Sequence, residues 1–320
     1  MFTVPGFSLE AVYGAVPARV ADNFTVASAF VGAEKARAIV EATGFPVRRA
    51  VEPGTTVFDL MLPAARRALE GVAPDRIGGV VACTFSAPDR FPALAVRLQQ
   101  ELGLPGTVAA LDLSLACSGY PYALFVAGQL ANATGLRVLL VDGDVQSAQV
   151  DADDVNTLLV MSDAATATLV APGGAGATFD FLSDGAEAEV LRCPATGRIR
   201  MNGFGVFRFV AKDVADFLTA FLEKTGSSPD YFVPHQANLY MVRQLAKRLG
   251  LGERLIVAGD RYANPGSCSV PLALAAGGFP TAFNGAANLD VLLAAFGAGL
   301  SAAAVRLPIS STLRRGVVEL

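Results

Sequence analysis

The sequence predicts an α/β protein built from two similar halves. Short apolar runs without polar alternation, such as residues 77–83 and 138–141, read as strands buried on both faces. Stretches with helical spacing separate such runs throughout the chain, which implies layers of helix and sheet. A length of 320 residues is long for one simple domain and fits two fused or duplicated units. The turn PGGAGAT marks the expected division, giving halves 1–173 and 174–320.

The elements follow in order. A first strand spans 9–13, and a helix over 33–43 stops at Gly44. The pair Arg48-Arg49 comes next, a solvated surface or a phosphate contact. Thr55-Thr56 caps a helix running to Glu70, in which Pro63 predicts a kink or a break. The strand 77–83 leads into a polar, proline-punctuated loop, TFSAPDRFPAL, that carries Arg90 and Phe91, and then a helix over 94–102. At the centre, a buried strand (108–113) meets the small-residue turn Ala116-Cys117-Ser118-Gly119. A helix with apolar residues from Tyr122 to Leu130 and the strand 138–141 follow. The acidic stretch after Asp142 is expected as solvated loop, and Asp151, Asp153 and Asp154 lack calcium-loop spacing. A strand over 165–170 closes the first half. The second half holds a helix (210–224), a short strand (231–233) broken at Pro234, and an amphipathic helix (239–249) with Arg243, Lys247 and Arg248 outermost. A strand (255–258), a small-residue helix (271–278) and two apolar strands (291–295 and 300–305) complete it, the last two joined by Phe296-Gly297-Ala298-Gly299.

Composition excludes several classes. The chain is 52% hydrophobic and 17% charged, with mean hydropathy +0.46, yet no uninterrupted apolar run reaches the ~18 residues of a membrane span. Net charge −4 and no basic tract argue against nucleic acid. Cys83, Cys117, Cys193 and Cys268 form no C-x-x-C pair and stand beside a single histidine, so neither a zinc site nor a disulfide framework is expected. The opening MFTVPGFSLE has no charged stretch followed by an apolar one, so cytoplasm is the expected compartment. GGAGA lacks the Gly-Lys-Ser/Thr ending of a phosphate loop.

Three residues stand where strands give way to loop or helix, the usual ligand edge of α/β sheets: Cys117, His235 and Asn264. A cysteine before a helix sits near backbone N–H groups and the positive helix end, which favour thiolate. The alternative is a small buried apolar residue. His235 is the only histidine available to partner cysteine chemistry.

Four motifs resemble those of the ketosynthase III family of the thiolase fold, the initiating β-ketoacyl-acyl carrier protein synthases: ALDLSLACSGYPYAL around Cys117, VPHQAN ending at Asn238, ANPGSCSVP containing Asn264, and AFGAGL containing Gly299. Their order agrees with that family over nearly the whole chain. The resemblance implies a duplicated α-β-α-β-α layered fold. It implies Cys117 as acyl-accepting nucleophile, with His235 and Asn264 donating to the extender thioester carbonyl. The N–H groups of Cys117 and Ala298 would form the oxyanion hole. It further implies that Phe91 enters the acyl pocket of the partner subunit in a homodimer, that Arg48 or Arg49 lines the tunnel mouth, and that Gly299 and Arg243 belong to the substrate-binding set. Substrates would be acyl-coenzyme A or acyl-carrier protein thioesters, with no cofactor or metal. Tyr240 follows HQANL where the family often has arginine, no tryptophan exists to stack on adenine, and SDAAT (162–166) replaces a glycine-rich pattern. The first two departures weigh against coenzyme A as the direct donor, and the third, with a short 183–204 segment, implies a specialised relative of the fatty-acid initiator. Two other readings stay open: acyl transfer to an oxygen or nitrogen acceptor, and a non-catalytic subunit of a condensing partner. A cysteine hydrolase fits no protease pattern.

Overall fold

The computed structural model describes residues 1–320 except 196, 277 and 281–284. Its strands, in chain order, are β1 (Phe2–Val4), β2 (Phe7–Val16), β3 (Val20–Asp22), β4 (Val47–Arg49), β5 (Ile77–Cys83), β6 (Ala109–Leu113), β7 (Arg137–Asp144), β8 (Ala164–Pro172), β9 (Ala177–Ser183), β10 (Leu191–Arg192), β11 (Arg200–Met201), β12 (Tyr231–Pro234), β13 (Asn288–Gly297), β14 (Ser301–Ser310) and β15 (Arg314–Glu319). The α-helices are α1 (Asn23–Val31), α2 (Ala33–Thr43), α3 (Val57–Ala68), α4 (Leu94–Glu101), α5 (Gly119–Thr134), α6 (Val155–Leu158), α7 (Gly203–Phe209), α8 (Ala215–Thr225), α9 (Leu239–Arg248), α10 (Gly259–Tyr262) and α11 (Ser269–Ala275).

Two sheets carry the fold. One runs β15-β2-β8-β7-β5-β6 and the other β1-β9-β14-β13-β12. Helices α5 and α11 lie between them, where Tyr120, Leu124, Val270 and Leu272 meet Val81 and Leu140 of one sheet and Val233 and Leu293 of the other. Helices α3 and α4 cover the outer face of the six-stranded sheet. Helices α8 and α9 cover that of the five-stranded sheet. This gives the α-β-α-β-α layering, and it explains the apolar composition: a strand such as β5, buried at all seven positions, has no solvent face to make polar.

The local signals act as expected. Gly44 closes α2 in the left-handed region, and Thr56 with Asp59 forms a capping box at the start of α3. Pro63 is an exception: it does not break α3, which continues through it and ends at Ala68, short of Glu70. Asn238 caps α9 by accepting from the Met241 N–H at 2.7 Å.

Several expectations are corrected. The strand read at 108–113 is β6, and it is half-exposed because it forms an open edge of its sheet. Residues 255–258 form no strand; only Leu255 bridges to Phe232. The helix read at 210–224 is longer: α7 and α8 join through a π-helical turn, Val210–Val214. The helix read at 271–278 runs Ser269–Ala275, and residue 277 lies outside the described residues. The stretch after Asp142 is not all solvated surface, since Asp142, Asp144, Gln146 and Thr157 are buried. Strands β1 and β15 were not anticipated. β1 pairs with β9 and β15 pairs in parallel with β2, so both chain ends cross the proposed division at 173/174. Among the described residues no helix is long and apolar enough to cross a membrane.

Candidate active site

The turn that presents Cys117 is fixed from below and beside. Gly119 donates its N–H to the Ala116 carbonyl at 2.8 Å, and a Cβ on Gly119 would sit 2.5 Å from the Cys83 sulfur, so only glycine fits there. Ser118 shares a 2.7 Å hydrogen bond with Ser301, whose hydroxyl also lies 2.6 Å from the Ala298 carbonyl. This ties the glycine-rich turn to the turn that carries Cys117. A Cβ on Gly297 would stand 2.7 Å from Cβ of Cys117.

Three separate segments then converge. Cys117, His235 and Asn264 line one cavity of about 100 Å³, together with Phe296 and Gly297. His235 follows β12, and its N–H donates to the Ala294 carbonyl at 2.7 Å. Its Nδ1 lies 2.6 Å from Ser269 Oγ, and its ring meets Phe296 edge-on at 5.4 Å. Asn264 is held by its backbone: its carbonyl accepts from Gln146 Nε2 at 2.8 Å and from the Ser162 N–H at 3.0 Å. Its Oδ1 accepts from the Gly266 N–H at 3.0 Å, so the amide nitrogen, a pure donor, is the end of this cavity-lining side chain left for a ligand.

Electrostatics corrects one expectation. The Cys117 thiol, only 6% exposed, is pushed up to about 12 by burial and then by the Asp144 carboxylate. A helix end contributes at most about 2 kcal/mol, near 1.5 pKa units, and loses to that burden. The resting sulfur is therefore a thiol. Burial also depresses His235 to about 3, so its imidazole is neutral. Asp144 is raised to about 7 by burial, against donors from Thr84 at 2.8 Å, the Phe85 N–H at 2.9 Å and Ser267 at 3.3 Å. It thereby fastens the loop after β5 to the loop bearing Asn264.

The remaining expected residues lie elsewhere. Ala298 is half-exposed and Gly299 exposed, one and two residues beyond the lining. Arg48 is 7% exposed beside Asp163, and burial lowers its pKa first of all. Arg49 donates to the Pro17 carbonyl and to Glu319, both at 2.9 Å. Neither arginine reaches the cavity. Arg243 is exposed on the outer face of α9. Phe91 is 86% exposed, on the surface and outside the cavity lining. Residues that the sequence did not flag include Ser269, Gln146, Asp144 and Phe296. Only the spacing of Ser269, five residues after Asn264, hints at a link.

The 3-oxoacyl-[acyl-carrier-protein] synthase III family matches residues 111–188, and its C-terminal model matches 222–309. The beta-ketoacyl-[acyl-carrier-protein] synthase III of Sodalis glossinidius is 34% identical over 256 residues, covering 74% of this chain and 80% of that protein. The 3-oxoacyl-(acyl-carrier protein) synthase of Burkholderia xenovorans LB400 superposes with a TM-score of 0.92 at 30% identity, over 98% of this chain and 97% of the other. The priming β-ketosynthase of the R1128 polyketide pathway superposes at 0.85 with 30% identity, over 96% and 97%. The chain belongs to the 3-oxoacyl-[acyl-carrier-protein] synthase III family, acyltransferase-type condensing enzymes of the thiolase fold.

Proposed function

We propose that the protein joins an acyl group carried on Cys117 to a malonyl-type thioester by decarboxylative condensation. The observation that carries this reading is the meeting of a thiol, a neutral imidazole and a carboxamide donor in one apolar cavity. In the first half-reaction, Cys117 sulfur attacks the acyl thioester carbonyl. The tetrahedral oxyanion is held by the N–H groups of Cys117 and Ala298, and the departing thiolate leaves with the thiol's proton. In the second, the malonyl carboxylate leaves as carbon dioxide. The enolate oxygen takes hydrogen bonds from His235 and Asn264. A neutral imidazole suits this task, because an acid would protonate the enolate. The enolate carbon then attacks the Cys117 thioester and expels the cysteine thiolate, which regains a proton from water.

The acyl donor is acyl-coenzyme A or an acyl-carrier protein. The engagement of Arg48 and Arg49 elsewhere favours carrier protein, and the exposed cations Arg243 and Lys247 on α9 fit an acidic partner. A homodimer formed along the open β6 edge would bring Phe91 of the partner subunit to the acyl pocket. The departures at Tyr240 and 162–166 support a specialised pathway.

Intact-protein mass spectrometry with a panel of acyl thioesters tests the roles. Wild type gains one acyl mass, and Cys117→Ala gains none. His235→Ala and Asn264→Ala keep the acyl mass but lose condensation with malonyl-carrier protein by about 10²-fold or more. Equal loss of both steps in these two variants refutes the assignment.

A further inference from the structure

His235 can serve as a donor in only one of its two neutral forms. Burial keeps it uncharged, so it carries a single ring proton, on Nδ1 or on Nε2. The proton must be on Nε2 if Nε2 is to face the enolate oxygen as a donor. What selects that form is not in the cavity itself.

Ser269 stands behind the ring, at the first position of α11 and 1% exposed. Its Oγ lies 2.6 Å from His235 Nδ1, and among the described residues it has no other hydrogen-bond partner. Two arrangements are open. If Nδ1–H donated to Oγ, the hydroxyl's own proton would be left inside the core without an acceptor. If Oγ–H donates to Nδ1, both groups are satisfied. Leaving a buried donor unmade disfavours the first arrangement by about tenfold to a hundredfold.

We propose that Ser269 is a positioning residue that fixes His235 in its Nε2–H form and thereby makes it a donor for the decarboxylation step. This rests on the reading of His235 as an enolate donor. The edge-on Phe296 ring and the His235 N–H bond to Ala294 fix where the imidazole lies. Neither distinguishes one ring nitrogen from the other, so the choice falls to the serine.

The chain contains one histidine, so labelling with ¹⁵N-histidine gives a single imidazole to observe. Wild type should show a protonated Nε2 and an unprotonated, hydrogen-bonded Nδ1. A protonated Nδ1 in wild type overturns the proposal at once. In Ser269→Ala, the Nδ1 signal should lose its hydrogen-bond shift and the Nε2–H form should no longer be exclusive. Condensation should fall at least about tenfold, since a wrong-tautomer histidine disables catalysis elsewhere by far more. Cys117 acylation by mass spectrometry should persist, which also verifies folding. Ser269→Thr, which keeps a hydroxyl, should restore condensation and the wild-type spectrum. If Ser269→Ala does not fold, Ser269→Gly, which also removes the hydroxyl, takes its place with the same expected spectrum. Condensation within twofold of wild type in the variant overturns the proposal. Full condensation by His235→Ala would instead overturn the underlying reading of the site, leaving the tautomer measurement to stand alone.

Discussion

At the scale of single residues, burial governs the protonation of the candidate site. Cys117 is held as a thiol near 12 and His235 as a neutral ring near 3, both chiefly by burial. The thiolate fraction of Cys117 should therefore rise with pH without levelling. Alkylation of Cys117 by iodoacetamide should accelerate about tenfold per pH unit from roughly pH 7 to 9.5. An ordinary cysteine, near 8.5, would flatten within that range; such a plateau would refute the buried-thiol description. A second prediction concerns Gly297. An alanine Cβ there would lie 2.7 Å from Cβ of Cys117, a rigid neighbour that cannot swing aside. Gly297→Ala should cost about 1–3 kcal/mol of stability by overpacking and reduce Cys117 acylation by about 10²-fold, seen by thermal melting and mass spectrometry. Unchanged acylation would mean that the two turns yield more easily than their packing implies.

At the scale of elements, the caps and the buried runs were legible, and the long-range partners were not. Helix α2 and strand β5 begin and end where the sequence places them, because a glycine stop and a seven-residue apolar run are local signals. Asp144 was misread as solvated because its donors, Thr84, Ser86 and Ser267, lie some 60 to 120 positions away. Arg48 and Arg49 were placed at a substrate mouth for want of any local sign that Asp163, Pro17 and Glu319 surround them. Strand β15 is charged at its start and half-exposed, so it shows neither clean alternation nor an apolar run. That Cys117, His235 and Asn264 would be candidates was legible because each lies in a motif of fixed spacing, and the fold brings them to one cavity; Ser269 touches His235 only through folding. One element invites a direct test. Asn238 caps α9 and also lines the cavity with Met241. Asn238→Ala should lose about 1 kcal/mol, a drop of roughly 2 °C in Tm, and raise KM for the acyl thioester as the helix end shifts. A lower Tm with unchanged KM would show that the first turn of α9 does not shape the cavity.

At the scale of the whole molecule, the open β6 edge and the exposed Phe91 belong together. The Asp112 carboxylate on β6 accepts from the N–H groups of Leu94 and Ala95, so the edge strand also anchors the end of the Phe91 loop. Light scattering should give a mass of twice 33.0 kDa for the wild type. Leu111→Arg, which puts a charge on the half-buried edge, should give the single-chain mass and lose most condensation activity. A monomeric wild type, or an active monomeric variant, would remove the shared acyl pocket from the account. The crossed chain ends have a different consequence, one of order in time. β2 keeps one bare edge until residues 314–319 arrive to pair with it, and Leu320 then bonds back to Val16 and Ala18. On the ribosome, the sheet that leads to Cys117 thus stays unfinished until both His235 and Asn264 have been synthesised. Until residues 314–319 have been made, that bare edge is open to mispairing with another nascent chain.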